Sequence, residues 1–204
     1  AQRGGVRIDH ILGLLRLWVL PRGAGAGQGI YLRYPFDDLL NLLVRAFCAN
    51  SATAGITFPS YSLYPVLIGI QDGRTEVIPF DRSMRLPVDR IISAAARAFF
   101  LTSPNAPTGV AFSNAELERV LAGFPGLLIV DEAYGDASPE LSVTADAGAM
   151  TTPQLITLRS LGKFFGLAGA RVGFAFGDQT LLNRLNETLG PWPISGPARW
   201  VATQ

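Results

Sequence analysis

The sequence predicts an α/β domain, a mostly parallel sheet sandwiched by helices. Three features point that way. Apolar runs of strand length recur along the chain, segments with helical apolar spacing lie between them, and the connections are short. Strands joined through a helical crossover run parallel and are buried on both faces, so they read as continuous apolar runs rather than as alternation.

The elements follow in order. Residues 37–48 (DDLLNLLVRAFC) carry apolar side chains at helical spacing, and two aspartates open the segment, where they suit the positive end of a helix dipole. Residues 54–58 read as a short buried strand, 61–70 as a helix and 75–80 as a strand. Residues 87–97 read as a helix with Pro87 at its first position, and 98–102 (AFFLT) as a strand running into a turn, SPNAPTG at 103–109. Ser113 and Glu116 have the spacing of a capping box and open a helix over 113–121. Further strands are expected at 127–130, 155–159 and 172–176, and a helix at 179–189. In such a sheet, ligands sit beyond the carboxyl ends of the strands. Residues 103–109, 131–134 and 160–171 fall there.

Residues 1–35 read differently and form an atypical N-terminal segment ahead of a domain at 36–204. GAGAGQG at 23–29 is a glycine-rich loop without the glycine spacing of a dinucleotide fingerprint. The apolar stretch at 11–20 is interrupted by Arg16 and is too short for a bilayer, which takes roughly 20 residues.

Composition narrows the function classes. Of the 204 residues, 49% are apolar and 16% charged, and mean hydropathy is +0.28, enough apolar material for a sizeable core. A net charge of +1 offers no field to draw nucleic acid or an anionic membrane. One cysteine, Cys48, allows neither an internal disulfide framework nor a cysteine zinc cluster, and fits a reducing, cytoplasmic setting. With His10 the sole histidine, the chain can build no Ser–His or Cys–His triad at the sheet ends and no histidine metal cluster, so no metal is expected.

All but one of the 17 basic residues are arginines, and the exception is Lys163. Arginine cannot lose its proton near neutral pH, whereas lysine can when its surroundings lower its pKa, so a lone lysine raises the question of what arginine could not do there. Lys163 lies in a glycine-rich stretch, LRSLGKFFGLAGARVG; on spacing alone it reads equally as a surface loop lysine. Asp131 ends an apolar strand, where a carboxylate needs a partner, although turn aspartates are common. Tyr61 and Tyr64 read as core aromatics.

Taken together, four motifs in this order, FPSYSLY, SPNAPTG, VDEAY and RSLGKFFGLAGARVGF, resemble the fold-type I pyridoxal-phosphate aminotransferases, on the branch of histidinol-phosphate aminotransferases and threonine-phosphate decarboxylases. The resemblance runs from about Asp37 to the end of the chain. It implies the large domain of a pyridoxal 5'-phosphate enzyme that acts on a small amino acid and an oxo acid, with a homodimer as the intact form. It also implies roles. Lys163 carries the cofactor covalently and moves the proton, Asp131 pairs with the ring nitrogen, and Tyr134 bonds the ring's phenolic oxygen. Tyr61 stacks on the ring, Ser160 and Arg171 hold the phosphate, and the backbone at Asp37 adds amide donors. Asn105 stands in for an asparagine that this chain replaces with Ala106. Pro35-Phe36-Asp37 departs from the family's small-residue phosphate turn, and Gly162 replaces a frequent hydroxyl. The family's C-terminal small domain is absent from the sequence, which suggests a truncated gene product. The implied reaction is transamination of histidinol phosphate or a related amino acid with 2-oxoglutarate. The alternatives are a threonine-phosphate decarboxylase of cobalamin biosynthesis and an inactive remnant.

Overall fold

A computed structural model describes residues 16–19, 30–33, 37–143, 152–167 and 172–188. Six strands form one sheet in the order β4-β3-β5-β6-β7-β8. They are β3 (Thr53–Phe58), β4 (Arg74–Pro79), β5 (Ala98–Thr102), β6 (Leu127–Asp131), β7 (Leu155–Ser160) and β8 (Gly173–Gly177). All neighbours run parallel except β7 and β8, which pair antiparallel. The central strands AFFLT and LLIVD are buried at every position, as strands covered on both faces must be.

The helices are α1 (Asp37–Phe47), α2 (Leu63–Ile70), α3 (Val88–Ile92), α4 (Asn114–Gly123) and α5 (Gln179–Thr188). Because side chains alternate along a strand, each strand feeds two cores. Ala98, Phe100, Leu127, Ile129, Ile156 and Leu158 pack under α1, α2 and α5. Phe99, Leu101, Leu128, Val130 and Leu155 pack under α3 and α4. Leu40, Leu43, Val44 and Phe47 form the buried stripe of α1 at the expected helical spacing. At Gly55 a side chain would overlap the Phe99 ring, with a Cβ only 2.2 Å from Cδ2.

The expected elements are present with small shifts, and three differ. α2 starts at Leu63 rather than at 61, and a backbone bond from Tyr64 N to Tyr61 O (3.3 Å) turns the chain into it. α3 ends at Ile92 instead of running to 97, with Pro87 at its cap. There the Ser93 hydroxyl donates to Asp89 O (2.8 Å), and Arg97 N already bonds Thr53 O (2.8 Å), so the chain leaves the helix to join the sheet. The third is a two-stranded antiparallel hairpin, β1 (Arg16–Val19) with β2 (Ile30–Arg33), that stands apart from the main sheet. The loop at 23–29 lies outside the described residues. The capping box forms as expected, with Ser113 as N-cap of α4. Among the described residues no helix is long and apolar enough to cross a membrane.

Candidate active site

Thr102, Asp131 and Ser160 are the last residues of β5, β6 and β7. The alternation that buries Phe100, Ile129 and Leu158 toward α1 and α2 puts these three on the same face, and the register pairs Thr102 with Asp131. Asp131 is buried, and both of its oxygens are used: Tyr64 donates its hydroxyl to Oδ2 at 2.6 Å, and Ala133 N donates to Oδ1 at 2.9 Å. The Tyr64 hydroxyl also lies 2.8 Å from Thr102 Oγ1, which is 3.4 Å from Ser60 Oγ. Tyr64 is 1% exposed, and its ring stacks on Phe100 at 5.1 Å and meets the edge of Tyr61 at 5.6 Å. Burial pushes the Asp131 carboxyl above its ordinary range; the Tyr64 hydroxyl, the Ala133 N–H and the charge of Lys163 pull the other way, in that order. Burial and the neighbouring Asp131 raise the Tyr64 phenol well above its ordinary value, so it keeps its proton and acts as the donor.

Lys163 sits in the turn after β7. Ser160 Oγ accepts from Gly162 N (3.0 Å), Leu161 N donates to Val172 O (3.2 Å), and Gly166 N donates to Lys163 O (3.2 Å) with Gly166 at φ +66°. That left-handed angle suits glycine. Lys163 is exposed, with Nζ 5.3 Å from the centroid of the Tyr134 ring. Phe164 and Phe165 follow edge to face, 62% and 54% exposed.

The remaining expected residues divide into three groups. Asp37 is the first residue of α1. A Cβ on Gly173, the partner of Ser160, would lie 3.3 Å from Leu39 Cδ2, which places the first turn of α1 and Ser160 at the same end of the sheet. Tyr61 is half-buried just before α2. Asn105 is 2% exposed and its side chain is already occupied, donating to Pro59 O (3.2 Å) after β3 and accepting from Thr108 Oγ1 (2.8 Å) within its own turn. Arg171 lies outside the described residues. The structure thus gathers Asp131, Tyr134, Lys163 and Ser160 at adjoining strand ends.

Two features escaped the sequence reading. One is Tyr64, read there as core. The other is a buried ionic cluster on the opposite face of the same strand ends. Glu132, 1% exposed, accepts from Arg159 Nη1 (3.0 Å), Ser142 Oγ (2.6 Å) and Val143 N (2.7 Å), and Arg159 also pairs with Asp136. Gly135 is required beneath this cluster, because a Cβ there would sit 2.9 Å from Glu132 Cβ. The available signal was the alternation itself, since Glu132 and Arg159 each neighbour a residue of the opposite face. Among the described residues no cluster of His, Cys, Asp and Glu could hold a metal ion.

The family model described as aminotransferase class I and II matches residues 35–204. The chain belongs to that family. Curated relatives include a histidinol-phosphate aminotransferase of Shewanella oneidensis, 34% identical over 171 residues, covering 82% of this chain and 43% of that protein. A threonine-phosphate decarboxylase of Sinorhizobium sp. is 44% identical over 174 residues, covering 81% and 47%. Among solved structures, the histidinol-phosphate aminotransferase of Sinorhizobium meliloti in complex with pyridoxal-5'-phosphate matches with a TM-score of 0.69 at 21% identity, over 76% of this chain and 43% of that one. The chain spans about half the length of the relatives it matches across most of its own sequence. A second family model, described as 4-alpha-glucanotransferase, matches residues 2–55.

Proposed function

We propose that the chain is the cofactor-binding core of an aminotransferase, with Lys163 carrying pyridoxal phosphate. The observation that supports this most directly is the state of Asp131. It is a buried carboxylate at a strand end whose partners among the described residues are a phenol and a backbone amide, and Lys163 supplies a nearby positive charge from the adjoining turn. Such a group favours a cationic N–H partner, and a protonated pyridine nitrogen is one. The residues present therefore fit the cofactor.

When bound, the cofactor serves as the electron sink for the carbanion at the substrate Cα. Asp131 would hold the ring nitrogen in its protonated form. The Lys163 amine, exposed at the sheet end, would carry the cofactor and serve as acid and base toward the substrate Cα. Tyr134, beside Lys163, would bond the phenolic oxygen, and Tyr61 would lie against the ring. Ser160, Arg171 and the amides of the first turn of α1 at Asp37 would hold the phosphate. Asn105 contributes by fixing the shape of its turn.

In this reading residues 36–204 are the large domain, 1–35 stand apart, and a homodimer covers the exposed Phe164 and Phe165. The start of the family match at residue 35 supports the division. The substrate is histidinol phosphate or a related amino acid, with 2-oxoglutarate as acceptor. A second reading, threonine-phosphate decarboxylation, is favoured by identity: 44% over 174 residues to the decarboxylase, against 34% over 171 residues to the aminotransferase.

The test is to add pyridoxal phosphate to the purified chain, record the visible spectrum, reduce with borohydride and map the adduct by mass. The expected result is a visible band and an adduct on Lys163, both lost in Lys163→Ala, which keeps its circular dichroism because the side chain is exposed. Folded wild-type protein that gives neither band nor adduct sinks the proposal. Product analysis then separates the substrate readings: release of carbon dioxide from threonine phosphate marks the decarboxylase, and glutamate formed from histidinol phosphate and 2-oxoglutarate marks the transaminase.

A further inference from the structure

Burial at a strand end should neutralise an aspartate, yet the proposed role of Asp131 needs its charge. The groups facing it are few. From α2 comes the Tyr64 hydroxyl at 2.6 Å. From β5 comes Thr102, which touches Tyr64 rather than the carboxylate. From the turn after β6 comes the Ala133 amide at 2.9 Å, and from the turn after β7 the charge of Lys163. Tyr61 faces Tyr64 edge-on and is the other titratable group beside it. Among the described residues, only Tyr64 is both a side-chain donor to the carboxylate and held in place, by the Phe100 stack, the Tyr61 edge and Thr102.

We propose that Tyr64 is the positioning residue that keeps Asp131 a carboxylate, ready to pair with the ring nitrogen of pyridoxal phosphate. It touches neither cofactor nor substrate and acts through Asp131. Burial and the neighbouring Asp131 hold the Tyr64 phenol in its protonated form, so it donates to the Asp131 carboxylate. Of the three groups that oppose the burial of Asp131, Tyr64 acts most strongly, ahead of the Ala133 amide and the charge of Lys163.

This inference rests on the proposed function for its purpose but is tested without the cofactor. The full chain is labelled with 13C-aspartate, the Asp131 carboxyl resonance is assigned by its loss in Asp131→Asn, and it is titrated in wild type and Tyr64→Phe. A charge-assisted hydrogen bond of this kind implies an upward shift of about one to two pH units in Tyr64→Phe. If Tyr64→Phe does not fold, 3-fluorotyrosine at position 64, a stronger donor of nearly the same shape, shifts the midpoint downward. An unchanged midpoint in a folded variant overturns the proposal. A second arm titrates pyridoxal phosphate against pH. Tyr64→Phe weakens binding about tenfold at pH values between the wild-type and variant carboxyl midpoints and recovers above the variant's midpoint, whereas equal weakening at every pH means that Tyr64 only packs, and overturns the proposal too. Failure of wild-type protein to bind pyridoxal phosphate removes the purpose but leaves the carboxyl titration to stand or fall alone.

Discussion

Asp131 and Glu132 are neighbours, both buried, and they meet opposite surroundings. Glu132 faces the layer of α3 and α4, where a guanidinium, a hydroxyl and a backbone amide saturate it. Asp131 faces the layer of α1 and α2, where its direct partners are a phenol and an amide. The back of the strand ends is a closed ionic clamp, and the front is a carboxylate whose direct partners carry no charge, which is what the proposed pairing with a cationic ring nitrogen needs. Burial of charge is therefore not by itself a sign of a site; what matters is whether the partners already balance it. The clamp also serves the front, because it ties β6 to β7 one residue from Asp131 on one strand and one residue from Ser160 on the other.

The comparison can be broken at the back with the largest effect. Arg159→Met leaves Glu132 buried without its cation and costs about 3–5 kcal/mol in urea unfolding, and Glu132→Met with Arg159→Met together recovers most of that loss. If the single variant were as stable as wild type, the cluster would not be a clamp. At the front the sign concerns pH. The folded midpoint of Asp131 is raised, so its contribution to stability is fully present below the ordinary value of 3.8 and is lost as pH rises through the folded midpoint. Each pH unit between the two midpoints is about 1.4 kcal/mol. Thermal unfolding from pH 3 to 8 should show this decline in wild type relative to Asp131→Asn, and saturating pyridoxal phosphate should flatten it. The smallest effect belongs to Thr102→Val, about 1 kcal/mol in the same urea assay, because Tyr64 keeps its bond to Asp131.

Much of this was open to reading in the chain. The buried strands, the capping box at Ser113 and Glu116 and the helical stripe of α1 are local patterns, and local patterns survive folding. Lys163 drew attention because no other lysine exists. Tyr64 stayed hidden because apolar spacing reports the burial of a ring and says nothing of where its hydroxyl points; Tyr64 is core at one end and site at the other. The pairing of Glu132 with Arg159 spans 27 residues and needs the register of β6 on β7, which neither segment encodes alone. The reversed direction of β8 is likewise a property of the chain's path rather than of the strand GFAFG. The early end of α3 was missed because tertiary pairing at Arg97 overrode a helical pattern.

The stack of Tyr64 on Phe100 has a consequence for motion. Phe100 is fully buried in the centre of the sheet, so the donor that holds Asp131 cannot swing away unless the core itself opens. Among the described residues no buried ring anchors the Lys163 turn, which presents Phe164 and Phe165 to solvent. Hydrogen exchange should separate the two: the Ala133 amide is released only with global unfolding, and the Gly166 amide through local opening. In the proposed reading the site has two unlike ends, an electrostatic end inherited from the core at Asp131 and a covalent end at Lys163 open to solvent.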